Sequence, residues 1–90
     1  MAFEWDENKN AANLEKHGID FVRAKEIWQG PVMEMFSPQT QHSEDRIIAV
    51  GMVDGLCIAV IYTWRGENRR LISARRARKN EQTHYDDATR

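Results

Sequence analysis

The run Leu56 to Trp64 (Leu-Cys-Ile-Ala-Val-Ile-Tyr-Thr-Trp) is the longest apolar stretch of the chain, and both of its alternating sets of positions are apolar apart from Thr63. Successive strand residues point to opposite faces, so a run of this kind suits a central strand covered on both sides. In a chain of 90 residues that requirement dictates a sheet with helices packed on it. Turn residues bound the run. Asp54-Gly55 is a two-residue hairpin signal before it, and Gly66-Glu67-Asn68 turns the chain after it. Arg46 to Val53 reads as the preceding strand. Arg69 to about Arg75 reads as the last one, with Leu71 and Ile72 on opposite faces.

Before Gly30-Pro31 the period is helical. Phe3-Glu4-Trp5 is a short first strand, and Asp6 fits an N-cap for a helix from about Glu7 to His17 that stops at Gly18. With Gly18 left-handed, Leu14 and Ile19 are the apolar pair that closes a Schellman motif. Asp20 starts a second helix, in which Phe21, Ala24, Ile27 and Trp28 form one apolar stripe. Val32 to Phe36 is a strand, with one of Met33 and Met35 expected in the core. Ser37 to Asp45, with Pro38 and His42, reads as a polar loop. After the last strand, Ala77 to Ala88 has helical potential, with Ala77, Glu81, Tyr85 and Ala88 on one side. The expected architecture is one α+β domain: two N-terminal helices, an antiparallel sheet of about four to five strands, and a C-terminal helix.

Net charge is −1, but its distribution is uneven. Between Arg65 and Lys79 stand seven cations (Arg65, Arg69, Arg70, Arg75, Arg76, Arg78, Lys79) against Glu67 alone. Such a cluster is an anion-binding footprint, although a solvated, salt-bridged face has the same composition. Cys57 is the single cysteine and is expected to be a buried, inert thiol. Histidines 17, 42 and 84 show no metal-ligand spacing, so no metal or other cofactor is expected. No apolar run approaches the roughly 18–20 residues that span a bilayer. The start Met-Ala-Phe-Glu-Trp-Asp lacks the basic and apolar regions of a secretory signal, so the expected location is the cytoplasm.

Phe3-Glu4-Trp5-Asp6-Glu7-Asn8-Lys9, followed by Asn13-Leu14-Glu15-Lys16-His17-Gly18-Ile19-Asp20-Phe21, resembles the BrnT family. Three later features resemble it too: Arg46 with Gly51, Tyr62 near a strand end, and Arg69-Arg70-Leu71-Ile72-Ser73-Ala74-Arg75-Arg76-Ala77 with Glu81 and Tyr85 beyond. The resemblance implies a RelE-like fold and a toxin of a type II toxin–antitoxin pair that degrades RNA. It further implies a BrnA-like antitoxin with a ribbon-helix-helix domain, a heterotetramer of the two, and operator DNA bound only through the antitoxin.

RNA is cut when its own 2′-hydroxyl attacks the adjacent phosphate, which needs proton-transfer groups and cations around the phosphorus. No paired carboxylates for a metal stand out, so a metal-independent endoribonuclease fits better. Arg75 and Arg76 lead the candidates, since a guanidinium forks onto two phosphate oxygens. Adjacent strand residues face opposite ways, so both reach one phosphate only if the strand has already ended. Lys16 and His17 are candidates for proton transfer, or simply favourable charges at a helix C-terminus. Glu81, as base or as orienter of an arginine, and Tyr85 complete the catalytic set. Arg65, Arg69, Arg70, Arg78 and Lys79 are expected to bind RNA phosphates. A non-catalytic module that grips nucleic acid or an acidic partner through the same patch remains the alternative.

Overall fold

The computed structural model describes residues 2–37 and 45–90; Pro38, His42 and most of the expected 37–45 loop lie outside them. Strand β1 (Ala2–Glu4) leads into helix α1 (Glu7–His17) and a short helix α2 (Phe21–Ala24), which tightens into a 3₁₀ turn over Lys25–Gln29. Strands β2 (Met33–Phe36), β3 (Ile47–Val53), β4 (Leu56–Arg65) and β5 (Asn68–Arg76) follow, and helix α3 (Lys79–Thr89) closes the chain. The sheet order is β1-β5-β4-β3-β2.

The helix starts follow from local chemistry. The Asp6 carboxylate accepts the N–H groups of Asn8 and Lys9, and Asp20 accepts that of Arg23. Each satisfies amides that a helix start leaves open. Gly18 ends α1 at φ 72°, and its N–H donates to the Leu14 carbonyl at 2.8 Å. This is the single-bond left-handed ending. Of the expected apolar pair, Ile19 is buried in the core while Leu14 stays half exposed.

Two expectations about the elements need correction. The sheet is mixed, because β1 runs parallel to β5, with Phe3 opposite Arg69. The path explains it. From β1 on one edge, the two helices carry the chain across to β2 on the other edge. Four antiparallel strands then return and end beside β1. The second helix is also not one continuous α-helix. Its buried stripe is Phe21, Ala24 and Ile27, a spacing of three, which is the period of the 3₁₀ turn; Trp28 lies off it, half buried.

The sheet has two covered faces. On one, α1, α2 and the 3₁₀ turn bury Phe21, Ala24, Ile27, Ala49, Val53, Ile58, Val60, Tyr62, Leu71 and Ala74. On the other, α3 lies over β2 and β3 and buries Tyr85 with Ile48, Val50, Ala59 and Ala77. Met33 and Met35 both pack there, as residues two apart on a strand must. The pairing slips between Ile61 and Tyr62, leaving Ile72 as an extra residue in β5. This bulge lets Leu71 and Ala74 share the face covered by α1 and α2 although they are three positions apart.

Candidate RNA-binding cleft

Beyond Glu4, strand β1 no longer covers the edge of β5, and a side chain takes its place. Asn13, buried on α1, donates from Nδ2 to the carbonyls of Ala74 and Ile19, both at 2.8 Å. Its Oδ1 accepts the Ala74 N–H at 3.0 Å and the Ser73 hydroxyl at 3.3 Å. The amide thus meets one backbone N–H and C=O of β5 as a neighbouring strand residue would. It also fixes where α1 ends, one turn further on at Lys16 and His17. A second amide, Asn10, accepts the Phe21 N–H and ties α1 to α2.

The result is a cleft of about 490 Å³ on the α3 side of the sheet, beside the part that α3 leaves uncovered. Its apolar lining is Ile48, Ile61 and Ile72 from three adjacent strands. Around them stand Lys16 and His17 from α1, Arg46 ahead of β3, Arg75 at the end of β5 and Arg78 ahead of α3, with Ser37 and Ser73. Five potentially cationic side chains from four parts of the chain meet at one cavity.

Arg75 is held rigidly. Its two terminal nitrogens donate to the two oxygens of Glu81 at 2.8 and 2.9 Å. Glu81 is buried, and one of its oxygens also accepts the Arg78 N–H at 2.7 Å, which secures the first turn of α3. The Arg75 guanidinium is the main cause that holds the Glu81 carboxyl below the ordinary carboxylate range; burial opposes it. The same pairing raises the pKa of Arg75.

The other sequence candidates are dispersed. Arg76 does not join Arg75, because β5 continues through both and neighbours alternate. Arg75 pairs with Ala59 of the α3-side cluster, Arg76 with Ile58 of the opposite one. Arg76 instead lines a separate pocket with Met52, Cys57, Gln82 and Asp86. Arg70 is paired with Glu4 at 2.7 Å. Arg69 stacks among Trp64, Trp28 and Tyr62, with its guanidinium carbon 4.6, 4.9 and 5.4 Å from the ring centres. Arg65 and Lys79 are exposed at the ends of their elements and do not line the cleft. Tyr85 is buried, and its hydroxyl donates to the Pro31 carbonyl at 3.2 Å. Burial is the first cause that raises its pKa.

Arg46 and Ser73 enter the cleft without having been singled out as site residues. For Arg46 the signal was present in the strand alternation, which puts it on the same face as Ile48. Cys57 is half buried rather than buried, and burial is the chief cause that raises its thiol pKa. Among the described residues, no three His, Cys, Asp or Glu side chains gather where they could hold a metal ion. No helix of the described residues is long and apolar enough to cross a membrane.

Residues 5–81 match the family model described as the ribonuclease toxin BrnT of a type II toxin–antitoxin system. The chain belongs to the BrnT family. Its fold agrees with this: the 1.1 Å crystal structure of the Brucella abortus ribonuclease toxin BrnT superimposes with a TM-score of 0.65. The two chains are 32% identical over 88% of this chain and 99% of that one. Among curated proteins no match is found. The cleft residues Lys16, His17, Ser37, Arg46, Ile48, Ile61, Ile72, Ser73, Arg75 and Arg78 all fall within the BrnT match.

Proposed function

We propose that this BrnT chain is a metal-independent endoribonuclease that holds a single RNA strand in the cleft beside Arg75. One observation carries the reading: Lys16, His17, Arg46, Arg75 and Arg78 line the cavity, and among the described residues no carboxylate does. Glu81, behind it, is already committed to Arg75 and the Arg78 N–H.

The scissile phosphate sits against Arg75 and Arg78. As the 2′-oxygen attacks phosphorus, negative charge grows on the non-bridging oxygens, and a cation already fixed in place stabilises it without reorganising. Glu81 acts as the positioning residue for Arg75. Lys16 and His17 handle the two protons, one leaving the 2′-hydroxyl and one reaching the departing 5′-oxygen. Groups so placed contribute roughly 10²–10⁴-fold each. Ile48, Ile61 and Ile72 give the sugars and bases an apolar bed. Tyr85, Arg76, Arg69 and Arg70 take no part in the chemistry.

Membership of the BrnT family supports the following biological setting as part of the proposal. A BrnA-like antitoxin with a ribbon-helix-helix domain neutralises the toxin in the cytoplasm as a heterotetramer, and operator DNA is bound only through that partner.

The test is cleavage of single-stranded RNA by purified protein in EDTA. Arg75→Ala is expected to lose at least 100-fold in rate with its fold retained, whereas Arg76→Ala keeps most of the activity. Equal loss in both variants defeats the site assignment. Salt-sensitive RNA binding with no cleavage products defeats the enzymatic reading and favours a binding module.

A further inference from the structure

We propose that Arg46 holds a second RNA phosphate, next to the scissile one, so that the strand runs diagonally across the isoleucine bed. The proposal rests on the nuclease reading above and deepens it.

The placement comes from the register. Ile48 pairs with Ile61 and Ile61 with Ser73, which makes one row across β3, β4 and β5. Arg46 lies two residues before Ile48 of that row, just ahead of β3. Arg75 lies two residues after it on β5, whose chain runs in the same direction. The two guanidinium groups therefore mount at opposite ends of the cleft, two strand spacings apart, or roughly 10 Å, plus about four residues along the strand direction. One phosphate between them would need both side chains to stretch across the bed; two successive phosphates would not.

The mount at Arg46 is firm. Its carbonyl accepts the Ser37 N–H at 2.8 Å, and the preceding Asp45 carbonyl accepts the Thr63 hydroxyl at 2.7 Å. The side chain is half buried, and its Nε–H has no hydrogen-bond partner among the described residues. Arg75, Arg70, Arg23 and Arg90 each sit within reach of a carboxylate of this chain. Among the described residues none is found on Arg46, although it lines the same cavity as Arg75. A charge fixed at the rim and not neutralised by any described residue is suited to meet an anion from outside.

The experiment titrates wild type and Arg46→Gln with an uncleavable 2′-O-methyl oligoribonucleotide across salt concentrations. For single strands each phosphate contact contributes about 0.7 to the slope of log K against log salt. The Gln variant is expected to bind about tenfold more weakly, with the slope shallower by about that amount. Arg46→Lys, which keeps the charge, is expected to retain the slope. Arg23→Gln, the same charge change on the far side of the molecule, is expected to match wild type. A wild-type arm covers misfolding of the variant: a neutral methylphosphonate at one flanking phosphate reproduces the loss. An unchanged slope in folded Arg46→Gln, or no effect of the methylphosphonate at either flank, overturns the proposal while wild-type cleavage stands. Absence of any RNA binding or cutting by wild type overturns the nuclease reading with it.

Discussion

Glu81 has both oxygens engaged and is buried, so replacing it affects the fold and the site together. Glu81→Gln leaves Arg75 without its fork and the Arg78 amide with a weaker acceptor. The expected cost is about 2 kcal/mol, typical of losing hydrogen bonds to a charged group. The pH dependence has a definite sign. The folded carboxyl titrates below its ordinary value of 4.5, so its stabilisation is complete above about pH 4.5 and fades as pH falls through the depressed value. Urea midpoints of wild type and Glu81→Gln should differ at pH 7 and converge in acid. A gap that does not narrow as pH falls below 4.5 would show that the pair is not what Glu81 supplies. Asn13 is the second such residue. Asn13→Asp keeps the shape but cannot donate to the Ala74 and Ile19 carbonyls, and a loss of about 2–4 kcal/mol is expected. A midpoint within 0.5 kcal/mol of wild type would show that water replaces the amide freely. Lys16, His17 and Arg75, which line the cleft, were singled out in the sequence by their residue types. Asn13 was not, because its partner Ala74 lies 61 residues away and a mid-helix asparagine carries no local mark.

At the level of elements, the 3₁₀ turn packs closely on β3 at Gly51. A Cβ added at Gly51 would come within 2.7 Å of the Ile27 Cβ. Gly51→Ala is therefore expected to cost about 1–3 kcal/mol by overpacking, read from its denaturation midpoint. Gly18→Ala meets no atom within 4 Å but must hold φ 72°, which predicts a smaller loss of about 1 kcal/mol. If the order of the two losses is reversed, the packing argument fails. Strands β2 to β5 and helix α3 were readable because turn residues and alternation bound them within a few positions. Strand β1 was readable as a strand but not as a parallel one, since three residues paired with a segment more than sixty positions away specify no direction. The bulge at Ile72 was equally silent, and alternation alone would have put Leu71 and Ala74 on different faces.

For the whole molecule, the sequence cluster of seven cations proved a poor map of the cleft. Only Arg75 and Arg78 of that cluster line it; Lys16, His17 and Arg46 arrive from elsewhere. Long-range pairing brings these groups together, so no window of sequence contains the site. The nearly neutral chain has a locally positive cavity, and its RNA affinity should fall steeply with salt while the fold does not. Cleavage rates at 50 and 300 mM salt, beside melting curves at both, check this; equal rates would argue against an electrostatic grip. The amide of Asn13 has one more consequence. It stops up the sheet margin at Ala74, where a second polypeptide would otherwise find an open N–H and C=O to add itself as a strand. Solubility and the shape of the cavity thus hang on the same side chain, and a protein lacking it should first betray the loss by forming aggregates.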